Sequence, residues 1–155
     1  MTDTERSKRV LFICNENCNR SQMAEAFARI YGPEWVETYS AGCHPAKAVH
    51  PKTVAAMLEL GYDLRKHRPK GMSDLPDVEY DVVVVMCEDG CPGVRAKRRE
   101  HWSIPVPKWM PPDRFRKVRD QIGEKVKELL ARMNNGLEAA TAPVGPEMTE
   151  AVPVT

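Results

Sequence analysis

Eight consecutive residues, Cys14-Asn15-Glu16-Asn17-Cys18-Asn19-Arg20-Ser21, combine thiols, carboxamides, an acid, a guanidinium and a hydroxyl where an apolar run ends and a helical pattern begins. A loop that enters a helix at such a junction turns several backbone N–H groups toward one point, and the helix dipole adds about half a positive charge there. The turn from Asn15 to Ser21 therefore suits a tetrahedral oxyanion, and Arg20 adds a planar fork of donors for it. A thiol in that field loses its proton easily, which makes Cys14 the expected nucleophile at the base of an oxyanion cradle.

Three further cysteines follow, Cys43, Cys87 and Cys91, the last two in "MCEDGCP" directly after four valines. Five cysteines, an odd number unevenly spaced, do not make the disulfide framework of a small secreted domain. In a cytoplasmic protein, thiols serve catalysis, redox chemistry or metal binding instead.

The elements that must position these groups can be read from periodicity. Arg9 to Ile13 is a strand apolar enough for burial on both faces of a parallel sheet. From Ser21, Met23, Ala26, Phe27 and Ile30 recur at helical spacing until Gly32-Pro33 stops the helix. Trp35 to Ser40 reads as a weaker strand. "HPKTVAAMLELG" reads as a helix with Pro51 at its first position, Val54, Met57, Leu58 and Leu60 on its apolar face and Gly61 closing it. "YDVVVVMC" is the clearest strand. A final helix is expected from about Asp113 to Met133, with Phe115, Val118, Ile122, Val126, Leu129 and Leu130 in register. Alternating strands and helices imply βαβ units around an open, mostly parallel sheet.

With 155 residues, 42% of them apolar, the chain is long enough for one ordinary core. One α/β domain is expected over residues 1–134. The tail, 135–155, is rich in Ala, Pro, Thr, Gly and Glu and is expected to be disordered. No apolar run reaches the roughly 18 residues of a membrane span and no signal-peptide core follows Met1, so a cytoplasmic protein without membrane contact is expected. A net charge of +1 lacks the basic surplus that nucleic-acid binding demands.

The C-x5-R-S spacing after a buried strand is followed in order by "YSAG", "VHPKTVAAMLELGYDL", "HRPK", "VVVVMC" and "REHW". Over about residues 8–132 this series resembles the low-molecular-weight protein tyrosine phosphatase superfamily. Within it, "RSQMAEAFAR" and "HRPK" are similar to the thiol-coupled, thioredoxin-type arsenate reductase branch. The resemblance implies a four-stranded sheet with helices on both faces, in three layers. It makes Cys14 the nucleophile, Arg20 the oxyanion clamp, and Asn17 and Ser21 the residues that hold the loop and the thiolate, with Asn15, Glu16, Cys18 and Asn19 completing the oxyanion loop. Glu16 stands where many members have glycine, and an acid there weakens anion affinity unless it points outward. Asn19 replaces a frequent second cysteine, while Cys18 comes one place early.

For the branch, the resemblance implies that arsenate bound to Cys14 is released as arsenite when Cys87 attacks, and that Cys91 completes an exported disulfide. Four residues of helix rise roughly 6 Å, inside the roughly 4.4–6.8 Å Cα window of a disulfide. Thioredoxin, glutaredoxin or a similar thiol donor is the implied partner, with an arsenate- or phosphate-like oxyanion as substrate.

Two departures from the pattern matter. The family carries an Asp-Pro general acid after the tryptophan segment, but "HWSIPVPKWMPPD" puts Val106 in its place. A positioned acid contributes on the order of 10²–10⁴ in rate. Its loss hurts expulsion of an alkoxide or phenoxide more than loss of water from arsenate; Asp113 and Asp89 are the substitutes within reach in sequence. Some reductases of the branch bind potassium beside the loop through four side chains. Asn17, Glu25 and Ser40 match three, and Lys70 stands at the fourth, so its ammonium is expected to replace the ion, with no cofactor and no potassium dependence.

Two other readings remain open. One is phosphomonoester hydrolysis at Cys14 and Arg20, for which the later cysteines are dispensable. The other is a non-enzymatic zinc or arsenite site made by Cys14, Cys18, Cys87 and Cys91. Cys43 is expected to be structural, none of His44, His50, His67 and His101 a metal ligand, His50 a helix-start residue, and Lys97-Arg98-Arg99 a solvated face. That basic patch would also suit an acidic thioredoxin-like partner.

Overall fold

The strands β1 (Lys8–Cys14), β2 (Val36–Gly42), β3 (Tyr80–Val85) and β4 (Ala96–His101) form one sheet in the order β2-β1-β3-β4, every pair of neighbours parallel. The structure is a computed structural model that describes residues 7–87 and 93–138, residues 135–138 by backbone only. Cys91 and Asp89 therefore lie outside the described residues, as does the stretch from 139 to the end.

β1 sits between β2 and β3 because its core, Val10 to Ile13, is apolar on both sides and none of it reaches solvent. The chain leaves β1 through α1 (Arg20–Tyr31) to β2, then passes through α2 (Pro51–Leu58) to β3 on the other side. The carboxyl end of β1, where Cys14 stands, is thus the topological switch point at which open parallel sheets bind ligands.

The helical cover is uneven. Met23, Ala26 and Phe27 of α1, Ala56 and Met57 of α2, and Phe115, Val118, Ile122, Val126 and Leu129 of α3 (Pro112–Glu138) all join one cluster with Val10, Phe12, Cys14, Val82, Val84 and Met86. The other face, with Leu11, Ile13, Ala41, Tyr80, Val83 and Cys87, is smaller; a single 3-10 turn, Met72–Asp74, and the segment to Val78 pack over it. Helices on both faces thus take the form of α-helices on one side and one short 3-10 turn on the other, among the described residues.

Several boundaries and burials differ from expectation. The last helix runs on to Glu138, so the first residues assigned to the tail are helical. β2 extends to Gly42. Ile30, Leu58 and Leu60 are exposed at 41%, 47% and 45%; each lies at or beyond the last turn of its helix. β4, "AKRREH", has no periodic apolar signal; it is an edge strand whose basic side chains face solvent and guard the open edge. Lys97-Arg98-Arg99 is therefore a solvated face as expected, but a strand. No helix is long and apolar enough to cross a membrane among the described residues.

Candidate active site

Cys14 ends β1 almost wholly buried, with Sγ 2.9 Å from the Ser21 hydroxyl. Asn17 Nδ2 donates to that same Ser21 oxygen at 2.7 Å. With Asn17 donating to the Ser21 oxygen, the Ser21 O–H is available to the Cys14 sulfur, and either atom of that pair can donate.

The second Asn17 Nδ2 proton goes to Ser40 Oγ at 3.0 Å, and Ser40 in turn donates to Glu25 Oε1 at 2.6 Å. Asn17 Oδ1 accepts from the Lys70 amide at 2.8 Å and from Gln22 Nε2 at 3.0 Å. Both donors and both acceptor positions of this buried carboxamide are thus used. Asn17 also takes φ +54°, a left-handed conformation that asparagine tolerates better than most side chains. The chain reverses there, between strand and helix.

Carbonyls of the loop face outward. Asn15 O accepts from His44 N at 2.9 Å, Glu16 O from Ala46 N at 3.0 Å and Cys18 O from His50 N at 3.1 Å. In a trans peptide the following N–H points the opposite way, so the amides of residues 16, 17 and 19 turn inward. Asn19 is the N-cap of α1 but makes no capping bond with its side chain, which instead accepts from the Thr53 hydroxyl. The first amides of α1 are left to face the loop. Arg20 is buried, its Nη1 donating to the carbonyls of Met86 and Ile104 (3.0 Å for the latter). These bonds tie the start of α1 to the end of β3 and to the segment after β4.

Around this loop lies a cavity of about 210 Å³ lined by Cys14, Asn15, Glu16, Cys18, Asn19, Arg20, Val106, Lys108 and Trp109. Val106 does stand on the wall, and it brings no proton donor. Among the described residues the one carboxyl on the cavity is Glu16, whose Oε1 is 3.1 Å from Lys108 Nζ. That hydrogen-bonded pairing holds the Glu16 carboxyl below its ordinary pKa. Glu16 therefore stays ionised and does not replace the missing acid. Asp113 starts α3 and is not on the cavity.

Cys18 is buried beside Glu16, its thiol donating to Oε1 at 3.5 Å. Burial first, and the carboxylate second, push its pKa up to about 12, so Cys18 stays a neutral thiol. Lys70 Nζ lies 3.4 Å from Ser40 Oγ and 3.7 Å from Glu25 Oε1. Glu25 is also paired with Arg29 at 2.8 Å. Its charge is met twice, and the Asn17 oxygen accepts from two donors.

The structure places Cys87 just past β3, next to the end of β1: Met86 N donates to Ile13 O at 2.8 Å. Strand alternation, however, puts the two cysteines in different clusters, Cys14 on the helix-covered face and Cys87 on the other. Cys43, also packed against the Cys87 cluster, is disulfide-bonded. Of the four thiols proposed for a metal site, Cys14 and Cys87 lie in different clusters and Cys91 is outside the described residues; among the described residues no group of three metal-ligating side chains occurs.

Lys108 and Trp109 are site residues that sequence reasoning missed. His50 accepts from Lys52 N and starts α2 as expected.

The profile of the low molecular weight phosphotyrosine protein phosphatases matches residues 9–139. The chain belongs to that family. Among similar members of this phosphatase family, "Arsenate reductase 2" of Staphylococcus saprophyticus is 39% identical over 130 residues, 78% of this chain and 95% of the relative. "Glutaredoxin arsenate reductase" of Synechocystis sp. is 34% identical over 134 residues, 82% of this chain and 99% of the relative. A solved structure described as an arsenate reductase in the phosphate binding state superposes with a TM-score of 0.71 at 34% identity, covering 81% of this chain and 98% of that one.

Proposed function

We propose that the chain is a thiol-dependent arsenate reductase, with Cys14 as nucleophile and Arg20 as oxyanion clamp. The observation that carries this over simple phosphatase action is the cavity wall. Among the described residues it offers Val106 and an ionised Glu16, and no neutral carboxyl, where expulsion of an alkoxide or phenoxide needs a proton donor. Arsenate needs less help, since its leaving group is water. The named relatives support the same choice.

In the first step the Cys14 thiolate attacks arsenic: an S–As bond forms, an As–O bond breaks, and the oxygen leaves as water with protons from solvent and substrate. In the second, the Cys87 thiolate attacks the Cys14 sulfur. The S–As bond breaks, its electron pair goes to arsenic, and As(V) leaves as arsenite, As(III), while a Cys14–Cys87 disulfide forms. Cys91 then attacks Cys87, returns Cys14 as a thiolate and leaves a Cys87–Cys91 disulfide, which an external dithiol of the thioredoxin or glutaredoxin type reduces. Because Cys87 starts on the opposite face, its sulfur must come round the end of β3 to reach Cys14.

Lys70 takes the place of a bound potassium ion in this reading. Its ammonium beside Ser40 and Glu25 supports that assignment, and turnover is expected to be equal in potassium and choline chloride.

The test is a single turnover. Fully reduced protein is mixed with arsenate in the absence of reductant, thiols are trapped and disulfides mapped by mass spectrometry. One equivalent of arsenite with a Cys87–Cys91 disulfide is expected. Hydrolysis of a phenyl phosphate with no Cys14- or Cys87-containing disulfide would overturn the reductase reading.

A further inference from the structure

Glu16 poses a physical problem: a carboxylate on the wall of a cavity built for a doubly charged oxyanion repels what the cavity binds. The structure answers it from a distant segment. Lys108, 92 positions away, brings its ammonium to 3.1 Å from Glu16 Oε1 and lines the same cavity. Lys108 is itself held in place. Lys52 of α2 donates through Nζ to the carbonyls of Lys108 and Met110 at 3.1 and 3.2 Å, and Met110 N closes a turn onto Pro107 O at 2.9 Å. Glu16 has a second task that keeps it in the loop, because its carboxylate accepts the Cys18 thiol proton. That contact helps hold Cys18 as a neutral thiol.

We propose that Lys108 is a positioning residue for the oxyanion: it neutralises Glu16, so that the loop can carry an acid and still accept a dianion. The inference deepens the arsenate reductase reading and rests on it for the identity of the substrate, but anion binding tests it independently of turnover. Lys108 acts through Glu16, so removing the ammonium matters only while the carboxylate is there.

The experiment is calorimetric titration of inorganic phosphate into the reduced protein at low ionic strength, for the wild type, Lys108→Ala, Lys108→Gln, Glu16→Gln and the double variant K108Q/E16Q. Both Lys108 variants should weaken phosphate binding roughly tenfold, the effect of one unit charge a few ångströms away in a half-exposed site. Glu16→Gln should bind at least as tightly as the wild type, and the double variant should return to within about threefold of Glu16→Gln. With arsenate, the same factors should move KM and leave kcat nearly unchanged, a split that general loss of structure would not give. Unchanged binding in both Lys108 variants would overturn the proposal. So would a double variant as weak as K108Q, since Lys108 would then contact the anion directly. Phosphate binding that follows the expected pattern without arsenate reduction would sink the functional reading and keep this one; no phosphate binding by the wild type would sink both.

Discussion

The two sides of the β1–β3 strand ends are built on different terms. On the Cys14 side, every polar group near the sulfur has its partner: Ser21, Asn17, Ser40, Glu25, Gln22 and Lys70 form one connected network under the loop. On the Cys87 side, the thiol is packed among Leu11, Ile13, Ala41 and Val83, turned away from its target. In the proposed reaction the first half is prepared in the resting fold, and the second half must be reached by motion. A nucleophile needs fixed geometry to bind an anion, whereas a relay thiol must leave one partner for another.

The largest test of that contrast is a pair of variants. Cys14→Ser should abolish arsenite production altogether, while Cys87→Ser should still bind phosphate with wild-type affinity and hold arsenic on Cys14 without releasing arsenite; arsenite release by Cys87→Ser would dissolve the division of labour. Next is Asn17→Ala, which orphans several buried partners at about 1–3 kcal/mol each. A stability loss of about 2–4 kcal/mol is expected, read as a drop in Tm of roughly 5–15 °C.

Ser21→Ala should keep the fold and lower the rate of Cys14 attack about 10- to 100-fold, the worth of one hydrogen bond to a charged group. Stopped-flow detection of the first step checks this, and an unchanged rate would remove Ser21 from thiolate support.

The smallest effect concerns pH. Native Cys18 keeps its proton up to about 12, against an ordinary value of 9.0. Between those values the native state binds more protons than the unfolded chain, so Cys18 makes stability fall as pH rises through that window and adds nothing below it. Alkylation at pH 8 should therefore spare Cys18, as peptide mapping would show.

The legible part of this protein is its local part. Cys14, Asn17, Arg20 and Ser21 lie within one turn of chain, so their spacing alone announces an anion loop, and the valines of β3 and the stripe along α3 announce themselves by pattern. Glu25, Ser40 and Lys70 entered only through resemblance; their convergence on Asn17 depends on the register that sets Phe12 opposite Ser40. Lys108 left no trace, because its partner is distant in sequence and a lysine in a proline-rich stretch looks like any surface loop. β4 was hidden for a related reason: an edge strand facing water has charges where a buried one has valines. The opposite orientation of Cys14 and Cys87 could have been read from strand parity, had the register between β1 and β3 been known.

Gly42, the last residue of β2, is pressed against the anion loop so closely that a Cβ there would lie 2.7 Å from the Asn15 carbonyl oxygen and 2.8 Å from the Asn17 nitrogen. Backbone meets backbone, and β2 acts as the mould in which the loop is cast. The path of the loop is thus dictated from outside it, by a neighbour that has no side chain to vary. Residues 15, 16, 18 and 19 can then exchange side chains, an acid or a second thiol among them, while the ring of amides keeps its shape. The same cast can be tuned for different oxyanions without being remade.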